Sequence, residues 1–176
     1  MGNINLSGSF IVGGIVLLSL LYIHFRVVDF NRSQIINEFT ESTMTNMADV
    51  LDYDFNKIGY RVSTNPKISS INNSSIAFLA DLDNNGSVDS VKYFTRQTNG
   101  KQYLVRRTTI GSVQESQVVI NNFAMQGYDS LNNSTFTVSS IKSIDVQVVI
   151  DNNSFRSDST NNFGSFYKRR YFIHNK

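Results

Sequence analysis

The chain has 176 residues, about the length of one domain, and its formal net charge is only +2. It contains no Cys and two His, which excludes disulfides and cysteine nucleophiles and argues against a His-rich metal site. The small net charge does not indicate nucleic-acid binding. Asn and Ser make up one residue in four, whereas charged residues are 17%. Neutral polar groups therefore solubilise the chain, as they do in many extracellular proteins.

The N-terminal segment is apolar. Residues 6–25 hold no charged side chain, and the first charged residue of the chain is Arg26. This is about the length that a helix needs to cross a bilayer, and only a helix satisfies its backbone there as a single span. We therefore predict a transmembrane helix rather than a buried core helix. A cleaved secretory signal is disfavoured because no Lys or Arg precedes the apolar run.

A helical apolar pattern continues beyond this segment. Apolar residues recur three to five positions apart, at Ile36, Phe39, Met44, Met47, Leu51, Phe55 and Ile58. Acidic residues are assigned to the opposite face, at Glu38, Glu41, Asp49, Asp52 and Asp54. Since the only proline is Pro66, we predict one continuous helix over residues 6–60. At about 1.5 Å per residue its length is on the order of 80 Å.

After Pro66 the apolar period changes from 3.6 to 2, which predicts strands. The predicted strands are residues 75–82, 87–96, 101–108, 117–123, 124–129, 144–150 and 166–173, with a polar loop over residues 151–163. Asn85-Gly86 and Asn99-Gly100 predict tight turns, and hence a three-stranded antiparallel meander. A strand pattern places Ile144, Val146, Val148 and Ile150 on one face.

A sheet with one apolar face needs a cover, and the apolar stripe of residues 36–58 supplies it. The predicted fold class is therefore α+β, with a long N-terminal helix, transmembrane in its first half and amphipathic in its second, packed on an antiparallel sheet. The predicted domains are a transmembrane helix (1–32), its amphipathic continuation (33–61) and a β-rich head (62–176).

This order of features resembles type IV pilins and the pseudopilins of type II secretion systems. Residues 52–60 are similar to the helix end of large minor pilins and J-type minor pseudopilins, with acidic and basic residues before Gly59-Tyr60. Residues 78–93 are similar to their strand–turn–strand, and residues 141–150 followed by 169–175 resemble their closing strand pair. The resemblance covers most of the chain and implies a pilin-like fold.

The sequence departs from this family near its N-terminus. Gly8 precedes Ser9-Phe10 as in a leader cleavage site, but no Lys or Arg precedes it, and Gly13 stands where the family has Glu at the fifth mature position. An uncleaved chain is therefore favoured. Arg26 and Arg32 follow the span, a bias that places the C-terminal domain in the cytoplasm. The family plan places it outside, and we expect the latter.

The resemblance implies assembly through the N-terminal helix. The residues expected to form this assembly helix are Phe10, Ile11, Gly13, Gly14, Val16, Leu17, Leu20 and Leu21. Small residues among them allow close approach of helices, although Gly is also simply common in membrane helices. The implied partners are copies of this chain or other pilin-like subunits. The implied location is the bacterial inner membrane, through a single N-terminal span, and then an extracellular filament.

One loop carries alternating oxygen ligands. Asp81, Asp83, Asn85, Ser87 and Asp89 match positions 1, 3, 5, 7 and 9 of a calcium loop, with Gly86 at position 6. Lys92 replaces the Glu of position 12, and strands rather than helices flank the loop. The pattern predicts either a hairpin turn capped by its own side chains or a weak Ca²⁺ site.

Nothing in the sequence predicts an enzyme. A Ser-His-Asp triad would need His24 in the span or His174 near the end, and no phosphate-binding or nucleophile motif occurs. Acidic residues of the helix and the bases Lys168, Arg169, Arg170 and Lys176 are either solvated or attract neighbouring subunits. The favoured function is a structural subunit of a filament. The alternative is a monomeric membrane-anchored binding domain at the surface, with possible dependence on Ca²⁺.

Overall fold

The computed structural model describes residues 2–64, 66–151 and 164–173. The chain divides into two compact units, Met1–Phe39 and Thr40–Lys176. A single helix, α1 (Gly2–Asn56), makes up the described part of the first unit and contributes its C-terminal end to the second. Most of the predicted polar loop, from position 152 to 163, lies outside the described residues, as do His174 and Lys176.

The first unit is an exposed apolar helix. Within the described residues, one helix is long and apolar enough to cross a membrane by length and composition, in the range Gly8–Asn56. None of its most apolar 18-residue stretch is buried. Every side chain from position 8 to position 32 is exposed. The predicted apolar N-terminal helix is confirmed, and its length and composition are compatible with membrane anchoring.

The second unit contains two antiparallel sheets in addition to the end of α1. The five-stranded sheet consists of β1 (Ile68–Ile71), β2 (Ser75–Ala80), β3 (Asp89–Thr98), β4 (Lys101–Thr108) and β5 (Gln114–Ile120). The three-stranded sheet consists of β6 (Asn122–Tyr128), β7 (Ser143–Asp151) and β8 (Gly164–Phe172). Within each sheet, strands that neighbour each other in the sequence also pair in space. The α+β layout and the three-stranded meander, β2 to β4, are confirmed.

The prediction of a single sheet is wrong, because the chain changes sheets at Asn121. β5 ends at Ile120, and β6 begins at Asn122. Between them the Asn121 N–H donates a hydrogen bond to the Val149 carbonyl of β7, at 2.8 Å. The predicted strand 117–123 therefore runs across this change. β1 was not predicted from the sequence, because its buried ends and exposed centre do not alternate.

The core joins α1 to both sheets. Met44, Leu51, Phe55 and Ile58 are buried, which confirms that part of the apolar stripe, whereas Phe39 is 56% exposed. Aromatic rings surround that of Phe55, with centroid distances of 5.7 Å to Phe78, 5.6 Å to Tyr93 and 4.9 Å to Tyr171. On β7, the predicted apolar face (Ile144, Val146, Val148 and Ile150) is fully buried.

The helix ends earlier than predicted, at Asn56 rather than Tyr60. The next residues form tight turns, in which the Lys57 N–H bonds to the Asp54 carbonyl and the Tyr60 N–H to the Lys57 carbonyl. Gly59 adopts a φ of 74°, which glycine reaches at little cost. Its N–H donates to the Leu79 carbonyl at 2.9 Å. The residues after the helix are therefore tied directly to β2.

Only one of the two predicted Asn-Gly turns forms. Asn99 and Gly100, with φ values of 52° and 73°, join Thr98 to Lys101 as a two-residue hairpin turn. The turn predicted at Asn85-Gly86 is wrong, because residues 81–88 form a longer loop between Ala80 and Asp89. Side chains of the loop accept hydrogen bonds from its own backbone and hold this wider shape.

Candidate functional site

Three carboxylates meet in the acidic loop, which we define as residues 81–89. One oxygen each from Asp81, Asp83 and Asp89 lies within 4.8 Å of the other two. Asp81 directly follows β2 and Asp89 begins β3, so the pairing of Ala80 with Asp89 brings the two ends of the loop together. Asp81 and Asp89 are 0% and 3% exposed, whereas Asp83 is exposed.

Carboxylates of the loop also organise its backbone. The Gly86 N–H donates to Asp81 Oδ2 at 3.1 Å, and the Leu82 N–H donates to Asp89 Oδ2 at 3.0 Å. The Asn85 N–H donates to Asp83 Oδ1 at 3.1 Å. These bonds replace the cross-strand bonds of a tight hairpin. They explain why the loop is wider than an Asn-Gly turn.

The other two predicted ligands, Asn85 and Ser87, lie in the same loop. The Asn85 amide donates to Asp83 Oδ2 at 2.7 Å, and its Oδ1 accepts the Ser87 N–H at 2.7 Å. Ser87 is exposed. The structure therefore brings together the three carboxylates of the predicted five-residue set, while Asn85 shapes the turn.

Two basic residues from the turn that follows α1 approach the acidic loop. Arg61 Nη1 lies 3.3 Å from Asp81 Oδ2. The Lys57 ammonium donates to the Leu82 carbonyl at 2.6 Å and to Asn84 Oδ1 at 3.1 Å, so it binds neutral oxygens of the loop. Burial disfavours ionisation of Asp81, but hydrogen bonds from Gly86 and Arg61 hold its pKa below the usual range.

One carboxylate oxygen in the acidic loop lacks a donor. Among the described residues, Asp81 Oδ1 is buried and has no hydrogen-bond partner. The whole Asp81 side chain is only 1% exposed. A buried carboxylate oxygen without a donor is costly, since it has lost water and gained nothing in exchange. The loop therefore contains a buried carboxylate oxygen that has no donor among the described residues.

A second acidic residue, Asp54, is buried on α1. Its carboxylate accepts hydrogen bonds from Tyr93 at 2.6 Å and from Arg106 at 2.6 and 2.9 Å. Burial and the negative charge of Asp54 raise the pKa of Tyr93 well above its usual range. The hydrogen bond to Asp54 likewise raises the pKa of Arg106. The prediction that Asp54 lies on the face opposite the apolar stripe is wrong.

Asp52 anchors the other sheet. Its Oδ1 accepts hydrogen bonds from Tyr167 at 2.6 Å and from Tyr171 at 2.5 Å, and its Oδ2 forms a salt bridge with Arg169. These three partners lie on β8. Its side chain is 27% exposed, so Asp52 is partly buried by contacts within the subunit. Because the two carboxylates lie two positions apart on α1, each reaches a different sheet.

The basic end of the chain is partly used within the subunit. Arg169 pairs with Asp52, and Arg170 forms a salt bridge with Asp145 on β7, with Nη2 at 3.0 Å from Oδ2. Arg170 also donates to Asn132 Oδ1 at 2.8 Å. These bases therefore have internal partners, whereas the predicted attraction to neighbouring subunits stays a prediction.

The predicted assembly helix is fully exposed. Its large apolar side chains are between 44% and 74% exposed, with Leu21 and Phe10 at the two ends of that range. At Gly13 and Gly14, a methyl group added to the Cα would meet no described atom within 4 Å outside the local helix. The eight predicted residues (Phe10, Ile11, Gly13, Gly14, Val16, Leu17, Leu20 and Leu21) are thus all exposed, and their part in assembly stays a prediction.

Comparison with protein-family models, with curated proteins and with solved structures found no match to this chain. The resemblance to pilins and pseudopilins therefore stays a prediction from the residues. The same holds for the absence of enzymatic activity and for the binding of Ca²⁺.

Proposed function

We propose that the chain is a pilin-like or pseudopilin-like structural subunit of an extracellular filament of the type IV pilus or type II secretion kind. The observation that carries this proposal is the complete exposure of residues 8–32. The second unit, Thr40–Lys176, has an extensive core of its own. Apolar side chains that remain exposed over this length support a surface that contacts lipid or protein.

Such a helix requires an apolar environment. Burial of each large side chain from water is worth about 1.5–3 kcal/mol, so the exposed set from Phe10 to Phe30 strongly favours lipid or protein contacts. A bilayer accommodates one helix of this length and composition. A bundle of helices from neighbouring subunits offers an equivalent environment. The proposed life cycle is therefore a membrane-anchored subunit that transfers its helix from the bacterial inner membrane to a filament core.

Small residues support the packing of one helix on another. Gly13 and Gly14 are adjacent on the helix, and both have open space around the Cα. The Ser19 hydroxyl bonds to the Ile15 carbonyl of its own helix at 2.9 Å, so it presents little polar surface to a partner. Close contact of helix backbones at such residues is a major source of association where no water is displaced.

Cysteine cross-linking tests the proposal cleanly because the chain contains no natural Cys. A Leu17→Cys variant in the native cell should give disulfide-linked pairs on oxidation, either with itself or with a second pilin-like chain carrying a matching Cys. A matched control is Ser116→Cys, on an exposed position of β5. We expect cross-links at position 17 in sheared extracellular material, which electron microscopy should show as filaments.

A charge in the same segment gives an independent arm of the test. Leu17→Lys should remove the chain from sheared filaments, because a charge at the centre of an apolar helix costs about 2.5–3.5 kcal/mol. Gln34→Lys, at an exposed polar position of α1, should leave assembly intact. If position 17 gives no cross-link and the chain remains monomeric in membranes, the filament proposal is wrong.

A second candidate function is a monomeric membrane-anchored domain that binds a ligand at the cell surface. The acidic loop favours it, because its carboxylates lie in the β-rich unit rather than in the N-terminal helix. A chain that stays monomeric in membranes and is absent from sheared material supports this candidate over the filament subunit.

A further inference from the structure

We propose that the acidic loop is a Ca²⁺ site in which Asp81, Asp83 and Asp89 supply the carboxylate ligands. The inference is independent of the proposed function, since it concerns the β-rich unit alone. Its starting point is the convergence of one oxygen from each residue within 4.8 Å. Clusters of acidic side chains are common on protein surfaces, but this one includes two buried carboxylates, those of Asp81 and Asp89.

The unusual feature is the buried oxygen at Asp81. Its side chain is 1% exposed, and among the described residues its Oδ1 has no hydrogen-bond donor. Buried carboxylate oxygens are almost always paired, because the lost hydration is expensive. A cation in the loop would give this oxygen a partner without moving the backbone bond that Asp81 Oδ2 already accepts.

The charge balance points in the same direction. Asp89 is 3% exposed and accepts a hydrogen bond from the Leu82 N–H. Within the described part of the chain, neither Asp89 nor Asp83 has a salt-bridge partner, and Arg61 approaches only Asp81. Three neighbouring carboxylates thus share one guanidinium. A divalent cation would relieve the repulsion between them.

The ligand chemistry selects Ca²⁺. Its oxygen ligands lie at about 2.3–2.6 Å, so two ligands on opposite sides of the ion are roughly 4.6–5.2 Å apart. The spacing of the three carboxylates is within this limit. Mg²⁺ binds at about 2.0–2.1 Å, demands strict octahedral geometry and keeps several waters. Ca²⁺ tolerates the irregular arrangement of a loop between two strands.

The loop closes without the usual last ligand. Position 12 is Lys92 on β3, so no bidentate Glu is supplied there. Asp89, at position 9, is the last carboxylate, and it already lies beside Asp81 at the mouth of the hairpin. The expected site is therefore weak, with a Kd on the order of 10⁻⁴ M, as in extracellular modules.

Occupation would stabilise the junction between the loop and the end of α1. The Leu82 carbonyl accepts hydrogen bonds from the Tyr53 hydroxyl at 2.5 Å and from Lys57 at 2.6 Å. The Asp81 N–H donates to the Tyr60 carbonyl at 3.0 Å. An ion that fixes Asp81 therefore also fixes the acceptors that hold this end of the helix.

The test uses the full chain in detergent micelles. Calorimetry with CaCl₂ should show saturable binding, and about 10 mM Ca²⁺ should raise the Tm of the β-rich unit by about 5–10 °C. The same concentration of Mg²⁺ should have little effect. Tb³⁺ is a second probe, because its emission is excited through nearby tyrosine, and Tyr53 bonds directly to the loop.

Asp83→Asn is the decisive variant. Asp83 is exposed, and Asn keeps the oxygen that accepts the Asn85 N–H. The bond from the Asn85 amide to Oδ2 is lost, but it is exposed, so the variant should fold. We expect at least about a tenfold loss of Ca²⁺ affinity, since one charged ligand is removed. The matched control is Asp129→Asn, in another loop, where Asp129 Oδ1 accepts the N–H groups of Leu131 and Asn133. The control should bind Ca²⁺ with unchanged affinity.

Two results would overturn the proposal. The first is the absence of heat, of sensitised Tb³⁺ emission and of any Tm rise at about 10 mM Ca²⁺, which would leave only a self-capped turn. The second is equal binding by Asp83→Asn and by the control, which would place the ion elsewhere on the chain. Neither result bears on filament assembly, which the cross-links at position 17 test separately.

Discussion

Asp54 on α1 and Arg106 on β4 form a two-point salt bridge, with Oδ2 2.6 Å from Nε and Oδ1 2.9 Å from Nη2. Asp54 is 0% exposed, and the Arg106 side chain is 24% exposed. The Tyr93 hydroxyl donates to Oδ2 from β3 at 2.6 Å. A single carboxylate thus connects the end of the helix to two neighbouring strands, β3 and β4, of the five-stranded sheet.

Removal of the Asp54 charge should therefore destabilise the β-rich unit. Asp54→Asn leaves the partly buried Arg106 without its counter-ion, and we expect a loss of about 2–4 kcal/mol in the free energy of unfolding. Urea unfolding followed by near-UV circular dichroism measures this loss. Asp49→Asn, at an exposed position of the same helix, should stay within about 0.5 kcal/mol. Equal effects of the two substitutions would contradict the role given to the bridge.

Phe55 gives a prediction for the core. Its side chain is 1% exposed and contacts the rings of Phe78 and Tyr93 on one sheet and of Tyr171 on the other. Phe55→Ala should cost about 3–5 kcal/mol, because it leaves a cavity where the helix meets both sheets. Phe166→Ala on β8 is the control.

The Phe166 side chain is 59% exposed, so its truncation should have a much smaller effect on urea unfolding. A small loss for Phe55→Ala, similar to that of the control, would mean that the sheets do not meet at this ring. The comparison therefore tests the packing of α1 against both sheets together.

Apolar periodicity was sufficient to predict most of the fold. The alternation on β7 and the stripe from Met44 to Ile58 both place buried residues correctly. The division into two sheets was not predictable in this way, because both sheets show the same period of 2 and the change occurs at one polar residue, Asn121. Which strands share a sheet is decided by how side chains pair across strands, and this pairing cannot be read from neighbouring residues in the sequence.

The buried acids show a different limit. Asp54 lies three positions after Leu51 and four before Ile58, so the helical period itself places it in the buried stripe. The charge of Asp54 favoured the face of α1 opposite the apolar stripe, since an unpaired buried carboxylate is unfavourable. Its partner Arg106 is 52 residues away, and only the folded sheet brings the two together. The spacing was a usable signal, but the pairing could not be read locally.

The Asn99-Gly100 turn gives a third prediction. Gly100 has a φ of 73°, a conformation that an L side chain adopts only with strain. Gly100→Ala should lower the free energy of unfolding in urea by about 1 kcal/mol. The loss comes from backbone strain alone, because no described atom would lie within 4 Å of the added Cβ. Asn99→Gly keeps the positive φ accessible and should change stability by only a few tenths of a kcal/mol. A neutral Gly100→Ala would indicate a different turn.

Hydrogen-bonded tyrosines of the second unit should resist ionisation. Burial is the main cause that raises the pKa of Tyr167 to about 12, and the hydrogen bond to Asp52 is the second. The same two causes raise the pKa of Tyr171 further, and burial beside Asp54 raises that of Tyr93. Each of these tyrosines donates its hydroxyl proton to an aspartate, so loss of that proton would place a phenolate against a carboxylate.

The stability of the β-rich unit should therefore fall at high pH. Below about pH 10 tyrosine is protonated in both the folded and the unfolded chain, so these groups give no dependence on pH. Between about pH 10 and 12 the unfolded chain releases protons that the folded chain retains, and the free energy of unfolding decreases.

An alkaline titration tests this prediction. Tyrosinate absorbance measures ionisation of the phenols, and circular dichroism measures unfolding in the same samples. Tyr167→Phe should reduce the dependence on pH, because it removes one phenol whose pKa is raised. Ionisation of every tyrosine near pH 10 without unfolding would contradict the two hydrogen-bonded clusters.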